Sequence, residues 1–179
     1  MTILFGSLTV IGIIGLILTT PSGEYQYRFS RTVDASRKLT WDVVADVSNY
    51  SQYATNLHSV KVDRPGGIGQ VRTCTDVNGS WQETCTGWEE MKSYSFLAHA
   101  DAKDYPFPIS YLKGTWNLTD VDGRGTRIDI EFTVKWKYRV IGWTLGEKAK
   151  EVFASSNKTV LDNWEKEILK RRDELLPSQ

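Results

Sequence analysis

Few side chains in this chain have the types that acid–base or nucleophilic chemistry needs. His58 and His99 are its two histidines, and a general acid or base must lie within hydrogen-bond reach of the proton it moves. Neither stands at a recognisable spacing from a nucleophile or a carboxylate. No Ser-His-Asp set, H-E-x-x-H helix or glycine-flanked nucleophile elbow can be recognised. Arg72, Glu83 and His99 remain as polar groups that a pocket could use, and no residue is assigned a catalytic role. The two cysteines, Cys74 and Cys85, have no histidine nearby, which argues against zinc; neither a metal nor a cofactor is expected. They flank Asn78-Gly79, a strong signal for a two-residue hairpin turn. With that pair as the turn, Cys74 opposes Glu83 and Cys85 opposes Arg72. The cysteines are then diagonal neighbours on one face, where a disulfide is arguable but not favoured.

Binding is the stronger theme. Seven Trp and eight Tyr are many for 179 residues, and such side chains suit a core or an amphiphile pocket equally well. Tyr53, Trp116, Phe132, Trp136, Phe153 and Trp164 fall on faces expected to meet between a sheet and a helix. Tyr111, Arg72 and Glu83 are the candidate polar anchors of such a pocket, which would be mostly apolar. With 22 basic and 22 acidic residues the net charge is zero, which argues against a nucleic-acid partner.

These residues must be positioned by a mixed α+β domain. Tyr25 to Val33 reads as a strand. Asp34 or Ser36 can cap a helix whose apolar face is Leu39, Val43, Val44 and Val47, and Ser48 to Tyr53 reads as a second short helix. Leu57–Asp63, Gln70–Val77, Ser80–Glu90 and Tyr94–Ala100 read as strands, with Gly87 a candidate bulge. Pro65 to Gly69 joins two of them as a flexible turn without the Gly-Lys-Ser/Thr ending of a phosphate loop. Tyr111–Val121 and Thr126–Tyr138 form a last hairpin around Asp122-Gly123. Ile128, Ile130, Phe132, Val134 and Trp136 share one face of it, while Arg127, Asp129, Glu131 and Lys135 share the other. Matching that apolar face to Leu112, Gly114, Trp116 and Leu118 requires an odd loop of three or five residues. A long helix then runs from near Thr144 to about Leu175, with Leu145, Ala149, Val152, Phe153, Ser156, Val160, Trp164 and Ile168 at helical spacing.

Ahead of this domain, Ile3 to Leu18 carries no charge. Met1–Thr20 as a helix would be about 30 Å long, enough to cross a hydrocarbon core. A basic n-region and an A-x-A-like cleavage site are lacking, so the favoured reading is an uncleaved single-pass anchor rather than a cleaved signal or a buried helix. The organisation is therefore anchor 1–20, linker 21–24 and folded domain 25–176. Arg28, Arg31, Arg37 and Lys38 follow the run and none precedes it, which places the domain on the cytoplasmic side.

The stretch Val33-Asp-Ala-Ser-Arg-Lys-Leu-Thr-Trp41-Asp-Val-Val-Ala-Asp46-Val-Ser-Asn-Tyr50-Ser-Gln-Tyr53 resembles the opening of START-like (SRPBCC) domains. The polyketide cyclase/dehydrase and coenzyme-Q-binding branch is the nearest. The Gly66-Gly67-Ile68-Gly69 turn, the Gly114-Thr-Trp116 strand and the long last helix are also similar to that family. The resemblance implies a helix-grip fold, in which a curved antiparallel sheet wraps the C-terminal helix and leaves a cavity. It also implies a hydrophobic small-molecule ligand such as a lipid, quinone, sterol or polyketide. The expectation is a membrane-anchored domain that binds a lipid or quinone without catalysis, with membrane lipid as a partner. The alternatives are an assembly subunit among other membrane protein subunits, or a cyclase/dehydratase-like enzyme using Arg72, Glu83 or His99.

Overall fold

The computed structural model describes residues 23–175. Seven strands form one antiparallel sheet: β1 (Glu24–Val33), β2 (Ser59–Val62), β3 (Val71–Asp76), β4 (Gly79–Glu89), β5 (Ser93–Ala98), β6 (Ile109–Val121) and β7 (Gly125–Trp136). Their order is β1-β7-β6-β5-β4-β3-β2. Between β1 and β2 lie α1 (Arg37–Val44), a 3-10 turn (Val47–Asn49) and α2 (Tyr50–Tyr53). The sheet curves around α3 (Arg139–Leu175), so the architecture is the expected α+β helix grip. The expected Met1–Thr20 anchor and the first half of the expected 21–24 linker lie outside the described residues. Glu24 already belongs to β1, paired with Lys135 of β7. No described helix is long and apolar enough to cross a membrane.

Alternation along β7 places Ile128, Ile130, Val134 and Trp136 in the core, as a sheet wet on one face requires. Leu112, Gly114, Trp116 and Leu118 stand opposite Val134, Phe132, Ile130 and Ile128. Val121 pairs with Gly125, so the loop Asp122-Gly123-Arg124 has three residues, the odd length that the shared apolar face demanded. Gly125 takes φ +92° beside the Val33 carbonyl, a conformation that favours glycine. The expected bulge appears as a register shift between Cys85 and Gly87. Ser36 caps α1 by accepting from the Leu39 N–H at 3.4 Å.

Two local expectations are corrected. The long helix begins at Arg139, because Thr144 does not cap it: its hydroxyl bonds back to the Val140 carbonyl at 2.9 Å inside the first turns. The β3–β4 turn is Val77-Asn78 rather than Asn78-Gly79, since Asp76 pairs with Gly79. The Asp76 carboxylate accepts from the N–H groups of Asn78 (2.6 Å) and Gly79 (3.2 Å), a local side-chain turn that sets the reversal one residue earlier. Every side chain keeps its face, but the pairs change. Cys74 now opposes Trp81, and Arg72 opposes Glu83. Cys85 bonds across to Gln70, four residues from Cys74 along β3, or about 13 Å at strand rise. That exceeds the reach of a disulfide, and both cysteines are free and buried.

The C-terminal half of α3 seals the core. Val160, Leu161, Trp164 and Ile168 are buried there, with Trp164 against Tyr50 and Tyr53 at ring-centroid distances of 5.8 and 6.3 Å. The N-terminal half leaves Leu145 and Val152 exposed.

Candidate functional site

The divergence between the N-terminal half of α3 and the sheet opens a cavity of about 690 Å³. Its walls come from β3 to β7, α3 and the α2–β2 segment, and Ala149, Phe153 and Val160 form part of the helical side. Room inside depends on Gly114. A Cβ there would meet Trp116 Cη2 at 2.6 Å and Phe132 Cε1 at 3.1 Å. Aromatic rings continue along the wall: Trp116 stacks on Tyr94 at 4.9 Å and meets Phe132 edge-on at 5.8 Å. Phe132 in turn lies 5.0 Å from Phe153.

One ion pair is set into this apolar lining. Arg72 donates from Nε (2.8 Å) and Nη2 (2.6 Å) to Glu83 Oε2, and Trp81 Nε1 donates to Glu83 Oε1 at 2.7 Å. Both charged residues are buried, at 4% and 7% exposure. The guanidinium carbon lies 4.0 Å from the Phe96 ring centroid and 5.3 Å from those of Tyr50 and Trp116, within cation–π range. Burial, the largest single influence, opposes the Arg72 charge, but the Glu83 carboxylate, with Cys74 and Tyr50 adding to it, holds the guanidinium above its ordinary value. Burial pushes the Tyr50 phenol up, against the pull of Arg72, and pushes the Cys74 thiol up to about 12. Arg72 Nη1 and Trp116 Nε1 are buried donors with no hydrogen-bond partner among the described residues. A carbonyl, phenolate or carboxylate oxygen on a bound molecule would satisfy them.

Six of the nine candidate ligand residues meet here: Arg72, Glu83, Trp116, Phe132, Trp136 and Phe153 line the cavity. Three do not. Tyr53 and Trp164 pack together in the sealed core, where Asn163 Nδ2 bonds the Tyr53 carbonyl at 2.8 Å. Tyr111 alternates with the inward Leu112, stands opposite Lys135, and has the Lys135 ammonium 5.4 Å from its ring centroid. His99 sits away from the lining, its Nε2 2.7 Å from the Thr84 hydroxyl. Residues not anticipated also line the site, among them Tyr50, His58, Trp81, Phe96 and Phe107. Trp81 shares strand parity with Glu83 and was legible on that ground. His58 alternates with the buried Val60 in the stretch read as a strand and was legible on that ground, whereas Phe107 stands in a connection, where no periodicity marks a facing direction. Among the described residues no group of three or more His, Cys, Asp or Glu side chains could hold a metal ion.

A family model described as "Polyketide cyclase / dehydrase and lipid transport" matches residues 26–168. The chain belongs to that family. Its members' fold is repeated in solved structures of low sequence identity. The protein TTHA0849 from Thermus thermophilus is 17% identical with a TM-score of 0.66, covering 82% of this chain and 99% of its own. The Zhui aromatase/cyclase from Streptomyces sp. R1128 is 17% identical with a TM-score of 0.60, covering 83% and 96%. A point mutant of norcoclaurine synthase from Thalictrum flavum, in complex with a transition-state analogue, is 13% identical with a TM-score of 0.62, covering 84% and 98%. At such identities the likeness concerns the fold. No match to a curated protein was found by sequence.

Proposed function

We propose that this chain binds a hydrophobic, ring-bearing small molecule in the cavity, with an oxygen acceptor on that molecule directed to Arg72. The observation that carries the reading is the 690 Å³ aromatic cavity with one buried guanidinium whose Nη1 lacks a partner among the described residues. The volume falls within the roughly 300–1,000 Å³ of small-molecule sites, which pair apolar walls with a few placed polar groups. A quinone or an oxygenated lipid has that pattern. The uncharged run Ile3–Leu18 supports a site held at a membrane, on the cytoplasmic side by the basic residues that follow. The test is solvent extraction and mass spectrometry of the purified full chain, with titration of an apolar fluorescent probe. A co-purifying apolar ligand, or probe uptake that Arg72→Met and Gly114→Leu weaken, is expected. A ligand-free preparation that takes up no probe overturns the reading.

A second reading is catalysis of the cyclase or dehydratase type. It is favoured by the Arg72–Glu83 pair in the cavity lining and by the aromatase/cyclase among the structural relatives. Arg72 would stabilise negative charge on a substrate carbonyl oxygen as a bond forms at the adjacent carbon. Glu83, held by Trp81, would keep the guanidinium in place. Conversion of an added poly-β-carbonyl substrate, lost in Arg72→Met, separates this reading from simple binding.

A further inference from the structure

Four formally charged residues line the cavity: Arg72, Asp76, Glu83 and Lys148. They stand at two depths. Asp76 belongs to the β3–β4 turn, where the exposed Val77 beside it marks the rim, and its carboxylate is taken up by the N–H groups of Asn78 and Gly79. Lys148 is exposed on α3, where water and salt screen it. Arg72 and Glu83 are buried. Arg72 lies four residues from Asp76 along β3, about 13 Å at strand rise. Burial holds the Tyr50 phenol and the Cys74 thiol in their neutral forms, so the inner end carries one positive and one negative charge.

The hydrogen bonds of that pair decide what is left for a ligand. Glu83 Oε2 accepts twice from Arg72, and Oε1 accepts from Trp81 Nε1. Arg72 Nη1 and Trp116 Nε1 remain as buried donors without a partner among the described residues. The inner end therefore offers donors while its net charge is zero. A ketone, quinone or ester carbonyl matches on both counts, because it accepts a hydrogen bond and brings no charge. A carboxylate matches the donors but not the charge. Bonded to Nη1, it would share one guanidinium with Glu83, setting two negative charges against one positive in an apolar surround.

We propose that Glu83 sets the ligand class of this site: it cancels the Arg72 charge while leaving Nη1 free to donate, so the cavity selects neutral carbonyl-bearing ring compounds and rejects acids of the same shape. The inference rests on the cavity taking an apolar molecule, and it names which oxygen that molecule carries. An arginine without a carboxylate beside it would select the opposite way, since guanidinium–carboxylate contacts are among the strong charge-assisted pairs. Trp81 supports the selection by holding the second oxygen of Glu83 at 2.7 Å.

Three ligands of one shape test this: 2-ethylnaphthalene, 2-acetylnaphthalene and 2-naphthoate, at about pH 7, where the acid is ionised. The purified full chain is dialysed to equilibrium against each, with the same mild detergent on both sides, and bound ligand is measured by mass spectrometry. The acetyl compound should bind about tenfold more tightly than the ethyl compound, as a hydrogen bond from a charged donor gives, and naphthoate should bind more weakly than either. In Glu83→Gln the order of acetyl compound and naphthoate should reverse. Arg72→Met/Glu83→Leu, which removes both charges, should bind the two neutral ligands alike, and it keeps the proposal testable where Glu83→Gln does not fold. Naphthoate bound as tightly as the acetyl compound by the unsubstituted chain overturns the proposal. So does an acetyl compound bound no better than the ethyl one, an order unchanged in folded Glu83→Gln, or an acetyl advantage that survives in the double variant. The two failures separate cleanly: 2-ethylnaphthalene bound without any carbonyl preference removes the selection alone, and a chain that binds none of the three removes the binding reading.

Discussion

Arg72 and Glu83 stand directly opposite each other on β3 and β4, and their side chains close an ion pair at 2.6 Å inside the aromatic cavity. The pair shares a face with Cys74, Trp81 and Cys85. It introduces charge where alternation alone would put apolar residues, and it is this polar insertion that turns a packing gap into a candidate site.

Breaking one half of that pair leaves an uncompensated buried charge. Arg72→Met alone or Glu83→Leu alone should each lower stability by about 3–5 kcal/mol, whereas the double substitution should lie near the unsubstituted protein. Urea denaturation of the three variants as a double-mutant cycle measures this. Additive losses would show that the two charges are not coupled.

Gly114→Ala pushes a Cβ into the Trp116 indole, 2.6 Å away. Because the indole is fully buried, it must shift toward Phe132 or the cavity, at a cost of about 1–3 kcal/mol. A lowered Tm together with weaker apolar-probe uptake is the expected result.

Tyr111→Ala should leave probe uptake unchanged. Its ring lies by Lys135 outside the cavity lining, despite being a natural choice of anchor on sequence grounds. A loss of uptake equal to that of Arg72→Met would contradict the register of β6.

The Cys74 thiol, raised by burial from 9.0 to about 12, gives stability a fall on the alkaline side. The unfolded chain releases this proton first, so the contribution is complete below pH 9 and is lost as pH rises toward 12. At about pH 8 the folded thiol stays protonated and reacts with a disulfide reagent only after opening. Labelling rates with and without denaturant check this.

On the acid side, Lys158 and then Arg31 hold the Asp162 carboxyl below its usual 3.8, and Arg31 also bonds Glu165. This contribution is present above pH 3.8 and is lost as pH falls through the lower folded value. The Tm difference between the native chain and Arg31→Met/Lys158→Met should be present above the usual carboxylate range and shrink as pH falls below 3.8.

Much of the architecture was legible because it follows from local periodicity. Alternation in Arg127–Tyr138 named the buried face of β7, and its parity with Leu112–Leu118 required an odd loop of three or five residues, of which three is the length present. The site was less legible, for reasons that can be assigned residue by residue. The Asp76 side chain moved one turn by one residue, which kept every face and exchanged every partner, so the Arg72–Glu83 pairing was hidden although both residues line the cavity. Tyr111 is out of phase with the inward Leu112, Gly114 and Trp116, so strand alternation alone already turned it away from the cavity. Tyr53 and Trp164 share a core with the cavity residues, and helical spacing does not say at which turn α3 leaves the sheet.

By itself the sequence determined the element order and the apolar faces, because these depend on the spacing of side chains along a chain of known periodicity, and the stretch Val33–Tyr53 carried the resemblance to the family. Where along α3 packing gives way to a cavity, and which two charges meet inside it, was decided only in three dimensions. Both depend on cross-strand register and on the volumes of residues far apart in the chain, such as Gly114, Phe132 and Phe153, which no local pattern encodes.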